Sequence, residues 1–147
     1  MALVKREKSL VVIQLSGGND YLNTLVPYRN GHYYDARPMV GIQPEEVLPI
    51  NDEIGFNATL GPIKDLWDEG KVAIIQGIGY QNPNRSHFRS MDIWHTAEPE
   101  TIGTEGWLGR TIRDLDPKGQ NVLTGINFGR GLPRALGCKG VPVASVG

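Results

Sequence analysis

Two runs of the sequence, residues 9–15 and 71–76, are almost entirely apolar and are each followed at once by glycines and polar residues. A continuous apolar run of this length is typical of a strand that is buried on both faces, as in a parallel sheet. The first run leads into Gly-Gly-Asn-Asp at residues 17–20, and the second leads into Gly-Ile-Gly at residues 77–79. We therefore predict two buried strands whose carboxyl ends present polar side chains.

Helices are predicted in four segments, which are residues 30–36, 61–69, 86–95 and 107–115. The clearest is 61–69, where Pro62 suits the first turn and Gly70 supplies a C-terminal stop. Leu66 and Trp67 lie on the apolar stripe of this helix, so we expect both to pack on the sheet as core residues.

Further strands are predicted at residues 121–128 and 141–146, while residues 40–53 favour irregular or short-stranded structure. The order of strand, helix and strand is that of an α/β crossover. The chain stops on its last predicted strand, which in an α/β domain usually packs against something that follows. We therefore expect the natural protein to continue beyond Gly147, or a partner to complete the fold.

Composition narrows the class of protein. The chain has 147 residues, of which 39% are hydrophobic and 21% charged, which fits one ordinary domain with a packed core. A net charge of −1 without a basic block disfavours nucleic acid as the main partner. The single cysteine excludes an intrachain disulfide and a cysteine-rich zinc site. No run reaches the roughly 20 apolar residues of a membrane helix, and the first residues do not form an intact signal peptide.

The end of the first predicted strand offers Asp20, with Asn19, Asn23 and Thr24 close to it in sequence. A carboxylate surrounded by amide and hydroxyl oxygens at a strand end suits a metal or a polar ligand. The same residue types are equally typical of a plain turn, so both interpretations stay open.

The stretch after the second predicted strand places Asn84, Arg85, Ser86 and His87 at a helix N-terminus, where free N–H groups favour an anion. Ser86 is either the N-cap of this helix or a nucleophile. A metal-binding carboxylate beside such a terminus would be a layout for metal-dependent ester hydrolysis. The chain has three histidines and none after residue 95, so a complete two-metal cluster is not expected.

Three segments together resemble the DUF1501 family: "LVVIQLSGGNDYLNTLVPY", "GPIKDLWDEGKVAIIQGIGYQNPNRSHFRSMDIWHTA" and "GWLGR". These bacterial proteins of unassigned function are grouped with the alkaline phosphatase and sulfatase superfamily. The resemblance implies a three-layer α/β/α fold around a mainly parallel sheet. Residues 1–147 would then be a single domain or the N-terminal portion of a larger alkaline-phosphatase-like domain.

The resemblance also implies roles for individual residues. Asp20 matches the acidic metal ligand at the end of the first strand, with zinc, magnesium, manganese or calcium as the divalent metal. Ser86 is the candidate nucleophile and Thr24 a second one, while the side chains that would hold the anion are Asn84, Arg85 and His87. Pro83 and Arg85 match the sulfatase pattern, but Gln81 occupies the position of the sulfatase nucleophile and cannot attack.

The function implied by this resemblance is hydrolysis of a phosphate or sulfate ester with a divalent metal, by an exported or periplasmic protein. We expect the 147-residue chain alone to be inactive, with a small anionic ester as its ligand. The alternative is a non-catalytic binding or assembly module that retains the fold, with self-association as one form of assembly. Metal held at Asp20 would favour the hydrolase.

Overall fold

The computed structural model describes residues 8–15 and 17–147 as a mixed α/β chain with short helices and two small sheets. The chain divides into two compact units, Met1–Gln76 and Gly77–Gly147. The prediction of a single domain stays a prediction. Residues 1–7, on which the absence of a signal peptide was judged, lie outside the described residues.

The helices are α1 (Tyr21–Thr24), α2 (Gly31–Ala36), α3 (Gly61–Asp68), α4 (His87–Thr96) and α5 (Trp107–Leu115). The strands are β1 (Leu25–Val26), β2 (Val47–Pro49), β3 (Gly55–Asn57), β4 (Ile126–Phe128) and β5 (Ala144–Val146). Single 3-10 turns occupy Pro44–Glu46, Ala58–Leu60, Val122–Thr124 and Arg134–Leu136. Among the described helices, even α4 with its 10 residues is too short and too polar to cross a membrane.

The sheet of the first unit is antiparallel, with β3 between β1 and β2. The hydrophobic core of the first unit is the buried cluster of Val26, Tyr33 and Val47. Gly55 is needed opposite β2, because a Cβ atom there would lie 2.4 Å from Cγ1 of Val47. Phe56 is buried on the same central strand and provides the surface on which α3 packs.

Helix α3 confirms the predicted helix, and Gly70 follows it with a φ of 69°, in the left-handed region that favours glycine. Trp67 is half-buried, with its ring edge-on to that of Phe56 at 6.2 Å between centroids. The expectation for Leu66 is wrong, because its side chain is 41% exposed. The sheet below α3 has three short strands, which cover one aromatic side chain but not the whole apolar stripe.

The second unit pairs β4 with β5 in parallel, with Ile126 opposite Ala144. The buried hydrophobic side chains described in this unit are Ile112 of α5 and Ala135 and Leu136 of the 3-10 turn that packs on it, and Thr96 of α4 is buried as well. A Cβ atom at Gly125 would lie 2.4 Å from Cδ1 of Ile112, so the chain entering β4 runs directly over α5.

The predictions of strands at residues 9–15 and 71–76 are wrong for this structure. Both segments are described without strand hydrogen bonding, and most of their apolar side chains are exposed, with Ile13 at 80% and Ile75 at 75%, while Val72 and Ile74 are half-buried. A strand buried on both faces needs a neighbour to complete its ladder and helices to cover it. Within the described ranges, the parallel ladder is β4 with β5, and neither segment joins it.

The other predicted elements agree more closely with the structure. The four predicted helices correspond to α2, α3, α4 and α5 within one or two residues. The segment 121–128 holds a 3-10 turn before β4, and the segment 141–146 contains β5 in its last three residues. The described structure thus establishes a mixed α/β chain with small sheets.

Candidate functional site

Asp20 stands at the N-cap position of α1, but its side chain does not cap that helix. Its Oδ2 atom instead accepts a hydrogen bond from Nη1 of Arg37 at 2.6 Å. The guanidinium of Arg37 also lies over the ring of Tyr33, 5.8 Å from the centroid. The acidic residue that the sequence singles out is therefore one half of an ion pair.

Asn23 also has partners within the protein. Its Nδ2 atom donates to the carbonyl of Val40 at 2.8 Å, and its Oδ1 atom accepts from the Tyr33 hydroxyl at 2.7 Å. The same hydroxyl accepts from the backbone N–H of Ile42 at 2.8 Å. The segment 37–42 is thus held against α1 by the side chains of four residues. We call these residues, Asp20, Asn23, Tyr33 and Arg37, the Asp20 clasp.

Thr24, the second nucleophile candidate, is held by its own turn. Its Oγ1 atom lies 3.1 Å from Oδ1 of Asn19 and 3.0 Å from the carbonyl of Asp20, and donates to these oxygens. A nucleophilic hydroxyl needs a base to take its proton, and neither an amide oxygen nor a carbonyl is one. The two hydrogen bonds of the Thr24 hydroxyl therefore fit the turn interpretation of Gly-Gly-Asn-Asp.

The donor set around Asp20 does not fit a divalent metal. Among residues 8–15 and 17–147, no three His, Cys, Asp or Glu side chains are placed to hold one ion. A protein site for zinc gathers several such ligands, and Asp20 has a guanidinium at hydrogen-bond distance instead. We therefore derive no catalytic step through a metal at this position.

In the second predicted stretch, residues 84–87, Ser86 is the N-cap of α4. Its Oγ atom accepts from the backbone N–H of Arg89 at 3.4 Å, and its own N–H donates to Oδ1 of Asn84 at 2.7 Å. The N–H of Asn84 in turn donates to the Tyr80 hydroxyl at 2.9 Å. The N-cap role of Ser86 is confirmed, whereas its role as nucleophile stays a prediction.

The first turn of α4 faces solvent. Arg85, His87 and Phe88 are exposed, and Phe88 is 83% so. Within the described part of the chain, the amides of His87 and Phe88 have no hydrogen-bond partner, as expected for first-turn donors of a helix. Two free amides and two basic side chains therefore lie at one helix end.

The structure does not test whether the two predicted stretches share one site. Asp20 and Thr24 belong to the unit Met1–Gln76, and residues 84–87 belong to the unit Gly77–Gly147. Asp20 is brought together with Thr24, and Asn84 with Ser86. The prediction that Asp20 lies near Ser86 or His87 stays a prediction.

Three arginines that the sequence interpretation missed organise the second unit. Arg89 donates through Nη2 to the carbonyls of Glu98, Pro99 and Thr101. Arg110, the last residue of the GWLGR motif, donates to the carbonyls of Thr96 and Glu105 and pairs with the Glu98 carboxylate. Arg134 pairs with Asp92 and donates to the Gly103 carbonyl at 2.6 Å.

All three guanidinium groups bind the loop 97–105, so these arginines have structural partners. For Arg110, the signal that could have found it is the GWLGR motif itself, because Gly106 and Gly109 in it mark a close backbone approach.

The lone cysteine lies in a small charged cluster. Hydrogen bonding from Arg113, at 2.8 Å, lowers the pKa of the Glu105 carboxyl, and a hydrogen bond with Cys138 lowers it further. Desolvation raises the pKa of the Cys138 thiol, and its hydrogen bond with Glu105 acts in the same direction. Both effects disfavour the thiolate, which is the form in which a cysteine acts as a nucleophile.

Comparison of the chain with protein-family models, with curated proteins and with solved structures finds no significant match. The resemblance to the DUF1501 family therefore rests on the three sequence segments alone.

Proposed function

We propose that this chain binds the phosphate or sulfate group of a small ester at the amino terminus of α4 and does not hydrolyse the ester by itself. The observation that carries the proposal is the solvent-facing first turn of α4, where the amides of His87 and Phe88 have no partner among the described residues and the side chains of Arg85 and His87 are exposed. Helix N-termini favour anions through free N–H groups and the helix dipole. Arg85 adds a guanidinium that is suited to a phosphate or sulfate oxygen.

Binding without hydrolysis follows from the partners of the candidate nucleophiles. The Ser86 hydroxyl caps α4, and the Thr24 hydroxyl donates within its own turn. Ester hydrolysis needs an activated nucleophile and stabilisation of the developing charge. Gln81, at the position of the sulfatase nucleophile, supplies neither.

The proposal also includes a three-layer arrangement of the chain around a parallel sheet. We propose that residues 9–15 and 71–76 become inner strands of a three-layer α/β/α fold when neighbouring strands are supplied. Their continuous apolar sequence and their exposed side chains support this, because such surface is stable only when it is covered. Metal-dependent hydrolysis and an exported or periplasmic location rest on the sequence resemblance alone.

Anion binding is tested by titrating the 15N-labelled chain with phosphate and with sulfate while following amide signals by NMR. We expect the largest shifts at His87 and Phe88, and about two- to fivefold weaker binding after Arg85→Ala, as for one exposed charge. Arg130→Ala, which removes an exposed arginine elsewhere in the same unit, is the matched control and should leave the affinity unchanged. Absence of shifts at millimolar anion, or equal effects of both variants, would contradict the proposal.

An assembly module is the second candidate function, and exposed apolar side chains favour it. Leu10, Val11 and Ile13 are 73%, 78% and 80% exposed on an extended segment without strand partners. Such a segment is a template for strand pairing between chains. If it is used for assembly, light scattering should show concentration-dependent self-association that Ile13→Lys suppresses. Met39→Lys, at a residue 91% exposed outside the segment, is the control, and a monomer at all concentrations would exclude this function.

A further inference from the structure

We infer that Asp20 is the fixed counter-ion of Arg37, and that this guanidinium occupies the place at which the sequence resemblance expects a divalent metal. The inference concerns the first unit and does not depend on anion binding at α4. Asp20, the acidic residue of the Gly-Gly-Asn-Asp turn, then has a structural role and is not a metal ligand.

The position of Arg37 is set by several independent contacts. Its backbone N–H donates to the carbonyl of Tyr34 at 3.1 Å at the end of α2, and its carbonyl accepts from Gly41 at 2.8 Å. Its side chain lies over the Tyr33 ring, so the guanidinium reaches Asp20 from a backbone that is already held. The side chain of Arg37 is only 23% exposed and that of Asp20 45%, so the pair is partly shielded from water.

The electrostatics of this pair oppose a metal ion. A charge-assisted N–H···O bond of 2.6 Å uses an oxygen of the carboxylate, and the positive charge of Arg37 repels a second cation at that distance. A divalent ion would have to displace the guanidinium. It would then find no set of three His, Cys, Asp or Glu ligands among the described residues.

The other two residues of the Asp20 clasp, Asn23 and Tyr33, hold the same segment of chain as the ion pair. Asn23 and Tyr33 hold Val40 and Ile42, while the Asp20–Arg37 pair holds the start of the same segment. The segment 37–42 is thereby fastened at both ends, against the turn in which Asp20 and Thr24 lie. Losing either ionic partner should release the same contact, so their effects on stability should not add.

A double-mutant cycle tests this with Asp20→Asn, Arg37→Gln and the combination, each followed by thermal unfolding. We expect each single variant to lower Tm by about 1–4 °C, and the double variant to lower it no further than the larger single effect. Asp52→Asn, an exposed carboxylate of the same unit, is the matched control and should leave Tm unchanged.

Additive losses in the cycle would overturn the inference. A second measurement adds Zn²⁺, Mg²⁺, Mn²⁺ or Ca²⁺ to the unmodified chain, so it does not depend on the folding of any variant. None of the four ions should raise Tm or shift the NMR signal of the Asp20 carboxyl carbon. An ion that raises Tm and shifts this carbon signal would identify Asp20 as a metal ligand and overturn the inference.

Discussion

At the residue scale, Gly106 and Gly109 show how closely the second unit packs around the start of α5. A Cβ atom at Gly106 would lie 2.0 Å from the carbonyl oxygen of Ala135, and one at Gly109 would lie 2.7 Å from that of Leu136. Neither neighbour is the end of a flexible side chain, because both are backbone atoms. The two glycines of the GWLGR motif therefore allow close backbone packing, and Arg110 of the same motif binds the loop 97–105.

Replacing Gly106 by alanine should destabilise the chain by about 2–4 kcal/mol, because the backbone of residues 134–135 must move to make room. Urea unfolding measures this directly. Gly79→Ala is the control in the same unit, since a Cβ atom there meets nothing within 4 Å. Equal free energies of unfolding for the two variants would mean that the close approach is not present in solution.

The Glu105 carboxyl gives a pH prediction. Its hydrogen bond from Arg113 lowers its pKa below the ordinary value of 4.5 in the folded state. Its contribution to stability is therefore present above the unfolded pKa and is lost as pH falls through the folded pKa. A carbon NMR titration of Glu105 should show the lowered pKa, and Arg113→Gln should raise it towards 4.5. An unchanged pKa in Arg113→Gln, as expected for the control Arg130→Gln, would contradict this cause.

At the element scale, α3 is attached to its sheet mainly through one aromatic contact. Trp67 meets Phe56 edge-on, whereas Ile63 and Leu66 are 37% and 41% exposed. We therefore expect Trp67 to contribute more to this attachment than Ile63 or Leu66.

Trp67→Ala should cost about 1–3 kcal/mol, less than the 3–5 kcal/mol typical of a fully buried tryptophan. Leu66→Ala, one position away on the same helix, should cost less than Trp67→Ala, about 1 kcal/mol, because its side chain is smaller and is 41% exposed. Chemical unfolding of both variants tests the difference. A larger loss for Leu66→Ala would show that α3 packs through a different face.

The predictability of these elements follows from the range of the forces that form them. Ser86 as an N-cap and the glycine after α3 act within a few residues, so helices α3 and α4 could be predicted from sequence. A buried strand depends on neighbours distant in sequence, which is why the pattern at residues 9–15 misled. The Asp20–Arg37 pair spans 17 residues and joins two turns, and no local pattern predicts it.

At the scale of the whole molecule, the chain combines two compact units with apolar segments that remain exposed. The polar residues that resemble a hydrolase site are bonded within the protein, to Arg37 in the first unit and around the N-cap in the second. The first turn of α4 faces solvent, and in the described part of the chain no base is hydrogen-bonded to the Ser86 or Thr24 hydroxyl. Recognition of an anionic group without hydrolysis is the central claim.

The most direct test is an assay of the purified chain on chromogenic aryl phosphate and aryl sulfate esters, with added Zn²⁺, Mg²⁺ or Mn²⁺. We predict no metal-dependent hydrolysis above background, because among the described residues no base is hydrogen-bonded to the hydroxyl of Ser86 or Thr24, and Asp20 is paired with Arg37. Turnover that requires metal and disappears in both Asp20→Ala and Ser86→Ala would contradict the claim, because it would show that these two residues form a working site.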